Sequence, residues 1–285
     1  PQREIDFYYE GKTGFDAIDT GATGLPKGYP CVLYINNSFY GIGDITIGKK
    51  RKNYNMAKDK PNNIYLALNN CDLLTLNVED ESIVEVKTPA TITDEFNGYI
   101  QDWRDFANLS QTEFTAALPS KLNPLNVIDY YILVQTLCLS DCLNRNVLMQ
   151  TWDGNKWFFM PYDLKGNLGI NPQGNALLDY DFDPVVDGSI HQGTKDFWIK
   201  VKTALQTEMN SRYKALRDQN IISLSCVAGI LNELHSKRTE SMFKSEWAKW
   251  SGLPSKNISS MNQMMTWFSD RITWLDTHFS YTKTQ

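Results

Sequence analysis

The chain reads as an α+β protein of two regions: a β-rich stretch over residues 1–90 and a mainly helical one over 91–285 that carries a β-hairpin at 146–163. Three observations predict this. Short apolar runs bounded by turn residues fill the first region. Apolar residues at three-to-four spacing begin after Thr93-Asp94. One hairpin signal, Trp-Asp-Gly-Asn-Lys-Trp over 152–157, interrupts the helical part. Strands followed by helices is the order of an α+β protein, and 285 residues are enough to bury a large core.

The elements follow in order. Residues 1–30 hold many Gly and Thr and little apolar periodicity, so they read as loop; GATGLPKG lacks the Gly-Lys-Ser/Thr ending of a phosphate loop. CVLYI, Asn36-Asn37 and SFYGIGDITI predict two strands around an Asn turn. NIYLAL (63–68) and SIVEVK (82–87) predict two more. Phe96, Tyr99, Trp103, Phe106 and Leu109 then make a helical stripe that Pro119 and Pro124 break. Leu125 to Leu139 is apolar on nearly every side, which describes a helix buried in the middle of its region. Three helices are expected in the last third: Phe197–Leu216, Cys226–Trp250, and one carrying Met261, Met265, Phe268, Ile272, Leu275 and Phe279 on a core face, capped by Ser255 or Asn257.

Composition narrows the function classes. A net charge of −5 argues against nucleic acid as the main partner, and the basic run Lys49-Lys50-Arg51-Lys52 reads as a solvated loop. Five cysteines without CxxC spacing and three scattered histidines argue against a disulfide or metal pair and a zinc site; Cys138 and Cys142 read as small core residues on the apolar helix. No window of about 20 apolar residues exists, so no membrane span is expected. The abrupt start at Pro1-Gln2-Arg3-Glu4 reads as part of something longer. Asp179, Asp181, Asp183 and Asp187 read as a solvated acidic loop, since the calcium-loop order of Gly and Glu is absent.

Residues 140–163, SDCLNRNVLMQTWDGNKWFFMPYD, carry the chemistry. Asp141 lies at the end of the buried helix, with Asn146 five positions on; a hairpin then ends on Asp163. Kinase catalytic centres use this order: a base Asp, a metal-binding Asn, a hairpin, a second metal-binding Asp. A divalent cation bridging phosphates needs hard oxygen ligands from two rigid places. Without that context, Asp141 would be a turn carboxylate accepting backbone hydrogen bonds.

NVIDYYILVQTLCLSDCLNRNVLM, TWDGNKWFFM and PYDLKGNLG together resemble the CotH family, kinase-fold proteins of spore coats, fungal surfaces and some phage structures. VLYINNSFYGIG resembles that family's N-terminal hairpin; FWIKVK, SRYKALRD and WFSDRITWLDTHF resemble its closing helices. The resemblance implies a protein-kinase-like architecture with a reduced β N-terminal lobe and a helical C-terminal lobe carrying the catalytic-loop hairpin. It implies Asp141 as catalytic base, Asn146 and Asp163 as magnesium ligands, and Mg2+ and ATP as cofactors if the site is active. Arg145 is placed either to touch a phosphate or to serve structurally.

The chain departs from the pattern. Lys165 stands where the family commonly has a second acid, Tyr162 replaces a Trp, and Asp44-Ile45-Thr46-Ile47 lacks a Glu that the family often offers. A cation two residues from a metal-binding Asp competes with magnesium, and no glycine-rich loop or Lys–Glu pair can be assigned. The preferred expectation is a structural or interaction module with protein partners in a larger assembly, in a virion, phage tail or extracellular surface, with a degenerate Mg-ATP site. The alternative is an active Mg/ATP-dependent kinase acting on a protein substrate.

Overall fold

The computed structural model describes residues 28–46, 48–54, 56–253 and 258–283. The opening loop segment, with all of GATGLPKG but its last glycine, lies outside the described residues, as do Ser255 and Asn257. Among the described residues the fold is α+β, with six strands in two antiparallel sheets and seven helices.

Strands β1 (Gly28–Ile35) and β2 (Ser38–Thr46) form a separate two-stranded ribbon. Asn36 and Asn37 both take positive φ (49° and 61°), the turn geometry that matches strand twist and that Asn tolerates. A 3-10 turn at Arg51–Tyr54 follows, then β3 (Ile64–Leu68) and β4 (Val84–Thr88). The predicted hairpin forms as β5 (Val147–Thr151) and β6 (Phe158–Pro161). The second sheet runs β4-β3-β5-β6, so β3 pairs with a strand about 80 residues on, Leu66 opposite Met149. β3 is buried throughout because both its faces are covered: Ile64, Leu66 and Leu68 face the main core, while Tyr65 and Ala67 join Tyr54, Met56, Leu148, Trp152 and Phe158 in a smaller cluster. In the hairpin turn Gly154 has φ +77°, and a Cβ there would strike the Tyr99 ring at 2.5 Å.

Helix α1 (Asp94–Ala107) is capped by Thr93 and buries Phe96, Ile100, Trp103 and Phe106; Tyr99 and Leu109 of the expected stripe are only half-buried. Pro119 does not break the pattern. It sits near the end of α2 (Gln111–Lys121), where the Ser110–Glu113 capping box and the buried Phe114 and Leu118 hold the helix around it. Pro124 opens α3 (Pro124–Leu137) at its first position, where a missing N–H costs nothing. The helix ends before Cys138, which is left-handed (φ 55°), so Cys138 and Cys142 lie beyond it, buried and free.

The long α4 (Gln192–Asp218) departs from helical geometry at Leu205. The single helix expected over 226–250 is two, α5 (Leu224–Lys237) and α6 (Glu240–Lys249). Arg238 is extended at the break and reaches β2, bonding the Gly43 carbonyl at 3.0 Å and the Asp44 carboxylate. The break lets α6 lie on the ribbon, where Trp250 Nε1 donates to Tyr40 O at 2.8 Å. Ser260 caps the last helix, α7 (Met261–His278), by accepting from Gln263 N at 3.1 Å. Met261 and Met265 are half-buried, and Trp267, Phe268, Arg271, Ile272 and Leu275 carry the core face.

The acidic loop is not wholly solvated. Asp183 is buried and accepts from Gln135 Nε2 at 2.8 Å and Val185 N at 2.9 Å. Arg271, fully buried, bonds the carbonyls of Gln135, Tyr180 and Phe182. That arginine fastens the acidic loop to the end of α3, which delivers Asp141.

Candidate functional site

The segment after α3 is held by its backbone. Tyr130 Oη donates to Cys142 O at 2.5 Å, Trp198 Nε1 to Leu143 O at 3.3 Å, and Cys71 N to Asn144 O at 2.8 Å. Tyr162 N donates to Asn146 O at 2.9 Å. Four carbonyls within five residues therefore have donors from four different parts of the fold. Tyr130 and Trp198 are themselves stacked, 5.7 Å between ring centroids. Such pinning fixes where Asp141 and Asn146 stand without using either side chain.

Asp141 is half-buried, and its carboxylate takes no hydrogen bond or ion pair from the described residues. It therefore is not the turn acceptor that a loop aspartate often becomes. Asn146 and Asp163 are both left-handed, at φ 54°, a region open to Asn and Asp at modest cost. Asn146 Nδ2 donates to Asp163 O, a long bond at 3.4 Å, so the two sit side by side across the base of the hairpin. The Cys142 thiol is pushed up to about 12, by burial first and then by the charges of Asp141 and Asp163. The Asn146–Asp163 bond sets those two residues side by side, and Asp141 directly precedes Cys142, whose carbonyl Tyr130 holds. Arg145 is half-buried between Asp141 and Asn146 in sequence, its Nε enclosed and without an acceptor among the described residues.

The charge around Asp163 differs from a metal centre. Lys165 Nζ lies 3.1 Å from Asp163 Oδ2. Among the described residues no three His, Cys, Asp or Glu side chains are grouped to hold a metal ion. Magnesium takes hard oxygen ligands, and the one acid at the hairpin exit is paired with an ammonium. Asn146 and Asp163 offer oxygens of the kind a divalent cation takes, and the Lys165 ammonium competes for the Asp163 carboxylate.

Beside Asn146 opens a cavity of about 450 Å³ that includes Lys49, Glu85, Asn146, Leu148 and Tyr162 in its walls. Lys49 pairs with Glu85 at 3.7 Å and lies 4.9 Å from the centre of the Tyr162 ring. The basic run is thus not uniformly solvated: Lys50 and Lys52 are exposed, while Lys49 turns into the cleft and Arg51 bonds the Met56 carbonyl at 2.6 Å. Of these wall residues, sequence reasoning passed over Glu85, read Lys49 only as part of a solvated run, and noted Tyr162 only as the replacement of a Trp. The available signal was the outward alternation of Glu85 and Lys87 on a strand, which calls for a partner. Glu85 stays below the usual carboxylate range despite its partial burial, because Lys87 and Lys49 hold it charged.

A sequence profile for the family described as CotH kinase protein matches residues 15–275, most of the chain. No curated protein matches it. This chain belongs to the CotH kinase family.

Proposed function

We propose that this CotH kinase-like domain serves mainly as a structural or interaction module of a larger assembly, of the phage-tail, virion or surface-protein kind, and that its Mg-ATP site is degenerate. In this reading the β-rich part is a reduced N-terminal lobe and the helices form a kinase-like C-terminal lobe. The observation that carries it is the Lys165 ammonium on the Asp163 carboxylate, where phosphoryl transfer needs a metal to neutralise developing charge. The ribbon supports the interaction role. Leu33, Tyr34, Ile35, Tyr40 and Ile45 are exposed on a two-stranded sheet with no third strand among the described residues, a surface suited to protein contact.

A second reading, an active Mg/ATP-dependent protein kinase, draws on Asp141. Its carboxylate is unencumbered on a rigid loop, as a base accepting a hydroxyl proton must be. Incubation with labelled Mg-ATP and a panel of protein acceptors separates the two. The module reading expects no incorporation above background. Transfer that is abolished by Asp141→Ala contradicts it.

A further inference from the structure

We propose that β1 pairs with β1 of a second copy of this chain, antiparallel across a two-fold axis, so that two ribbons join into one four-stranded sheet. The proposal rests on the module reading and deepens it by naming the partner that the ribbon takes. It starts from a contrast between the two strands of that ribbon. The backbone of β2 is already occupied by the helices. Lys249 Nζ donates to Phe39 O at 2.6 Å, Trp250 Nε1 to Tyr40 O at 2.8 Å and Arg238 Nη2 to Gly43 O at 3.0 Å. Ile42 N in turn donates to Glu246 Oε1 at 3.2 Å. Tyr40 is also an extra residue: Leu33 lies opposite Gly41 and Tyr34 opposite Phe39, so β2 bulges between them. Charged side chains and a bulge are both devices that keep a strand edge from pairing.

Strand β1 has neither device. From Cys31 to Ile35 it reads CVLYI, without a charge, and no third strand lies beside it among the described residues. Leu33, Tyr34 and Ile35 are exposed in succession. An open apolar edge of this kind is a template for another strand. Its composition favours its own copy. A two-fold axis duplicates every charge of a strand and supplies none of the opposite sign, and this strand carries none to duplicate. Pro30 and the Asn36–Asn37 turn set the register. Proline cannot donate to a ladder, and the turn ends the strand. A ladder over Cys31–Ile35 stays clear of both when it is centred on Leu33. Leu33 then meets its own copy, Val32 meets Tyr34 and Cys31 meets Ile35, apolar pairs throughout, one of them the β-branched and aromatic kind that stabilises sheets. The ladder is short, so association is expected at micromolar concentrations rather than below.

The test is sedimentation velocity of the full chain over a micromolar concentration series. The wild type is expected to pass from monomer to dimer as concentration rises. Leu33→Lys and Leu33→Glu, at a position already exposed, should each weaken dimerisation by about tenfold or more with circular dichroism unchanged, because like charges meet at the axis. Mixing the two variants should restore the dimer, since the axis then holds one charge of each sign. Ile45→Lys, an exposed change on β2, should leave the dimer in place. A dimer that survives Leu33→Lys, a mixture that stays monomeric, or a dimer lost in Ile45→Lys would overturn the proposal. A wild type that stays monomeric throughout also overturns it and leaves the module reading, which the phosphate-transfer assay tests, standing.

Discussion

The two sides of the candidate site were built to different standards. On the helix side, the segment from Cys142 to Asn146 has four backbone carbonyls tied to Tyr130, Trp198, Cys71 and Tyr162, and the Asp141 carboxylate is left open. On the hairpin side, Asp163 is half-buried and already neutralised by an exposed lysine. The first arrangement depends on the aromatic core and cannot change without unfolding something. The second hangs on one surface side chain. Position and charge on the two sides are thus set by different residues.

The largest effect should come from removing the support beneath the loop. Trp198 is fully buried among Tyr130, Phe159 and Phe197. Trp198→Ala is expected to lower the unfolding free energy by about 3–5 kcal/mol in urea titrations. A loss under about 1 kcal/mol would mean that the loop does not depend on this core.

Acid should weaken the body of the fold rather than the site. His278 is held down to about 4 by burial and then by Lys202, whose Nζ lies 3.2 Å from its Nε2. Its folded value lies below its unfolded one of 6.5, so this contribution is complete above about pH 6.5 and is lost as pH falls through about 4. The slope reaches about 1.4 kcal/mol per pH unit within that window. His278→Gln should flatten that part of a stability-versus-pH curve, while Lys165→Ala should leave it unchanged.

Smaller effects separate the two sides further. Tyr130→Phe removes the donor to Cys142 O within the core and should cost about 1–2 kcal/mol. Lys165→Ala breaks an exposed pair and should change stability by less than about 0.5 kcal/mol in the same titration. If the two cost the same, the contrast between a rigid and a replaceable side is wrong.

Much of this architecture was legible because it is local. The apolar run Leu125 to Leu139 reads as a buried helix, and Trp152 to Trp157 as a turn between strands; the helix forms over Pro124–Leu137 and the strands pair around the turn. What escaped depends on distant partners. The break at Arg238 exists because its guanidinium finds β2, nearly 200 residues away in sequence. Pro119 stays inside α2 because the cap and two buried side chains outweigh it. Lys49 resembled its solvated neighbours Lys50 and Lys52 until the fold set Glu85 and Tyr162 beside it. At the site itself, the order Asp141, Asn146, Asp163 was readable, and so was the intrusion of Lys165. The carbonyl pins were not, since backbone acceptors leave no mark in a sequence.

The proposal that the metal site is degenerate is tested most directly by titrating Mn2+ into the wild type and Lys165→Asp, read by paramagnetic resonance of the free ion. The account predicts no stoichiometric binding to the wild type and one site gained in Lys165→Asp that disappears in the Asp163→Ala/Lys165→Asp double variant. One Mn2+ bound by the wild type and lost in Asp163→Ala would contradict it.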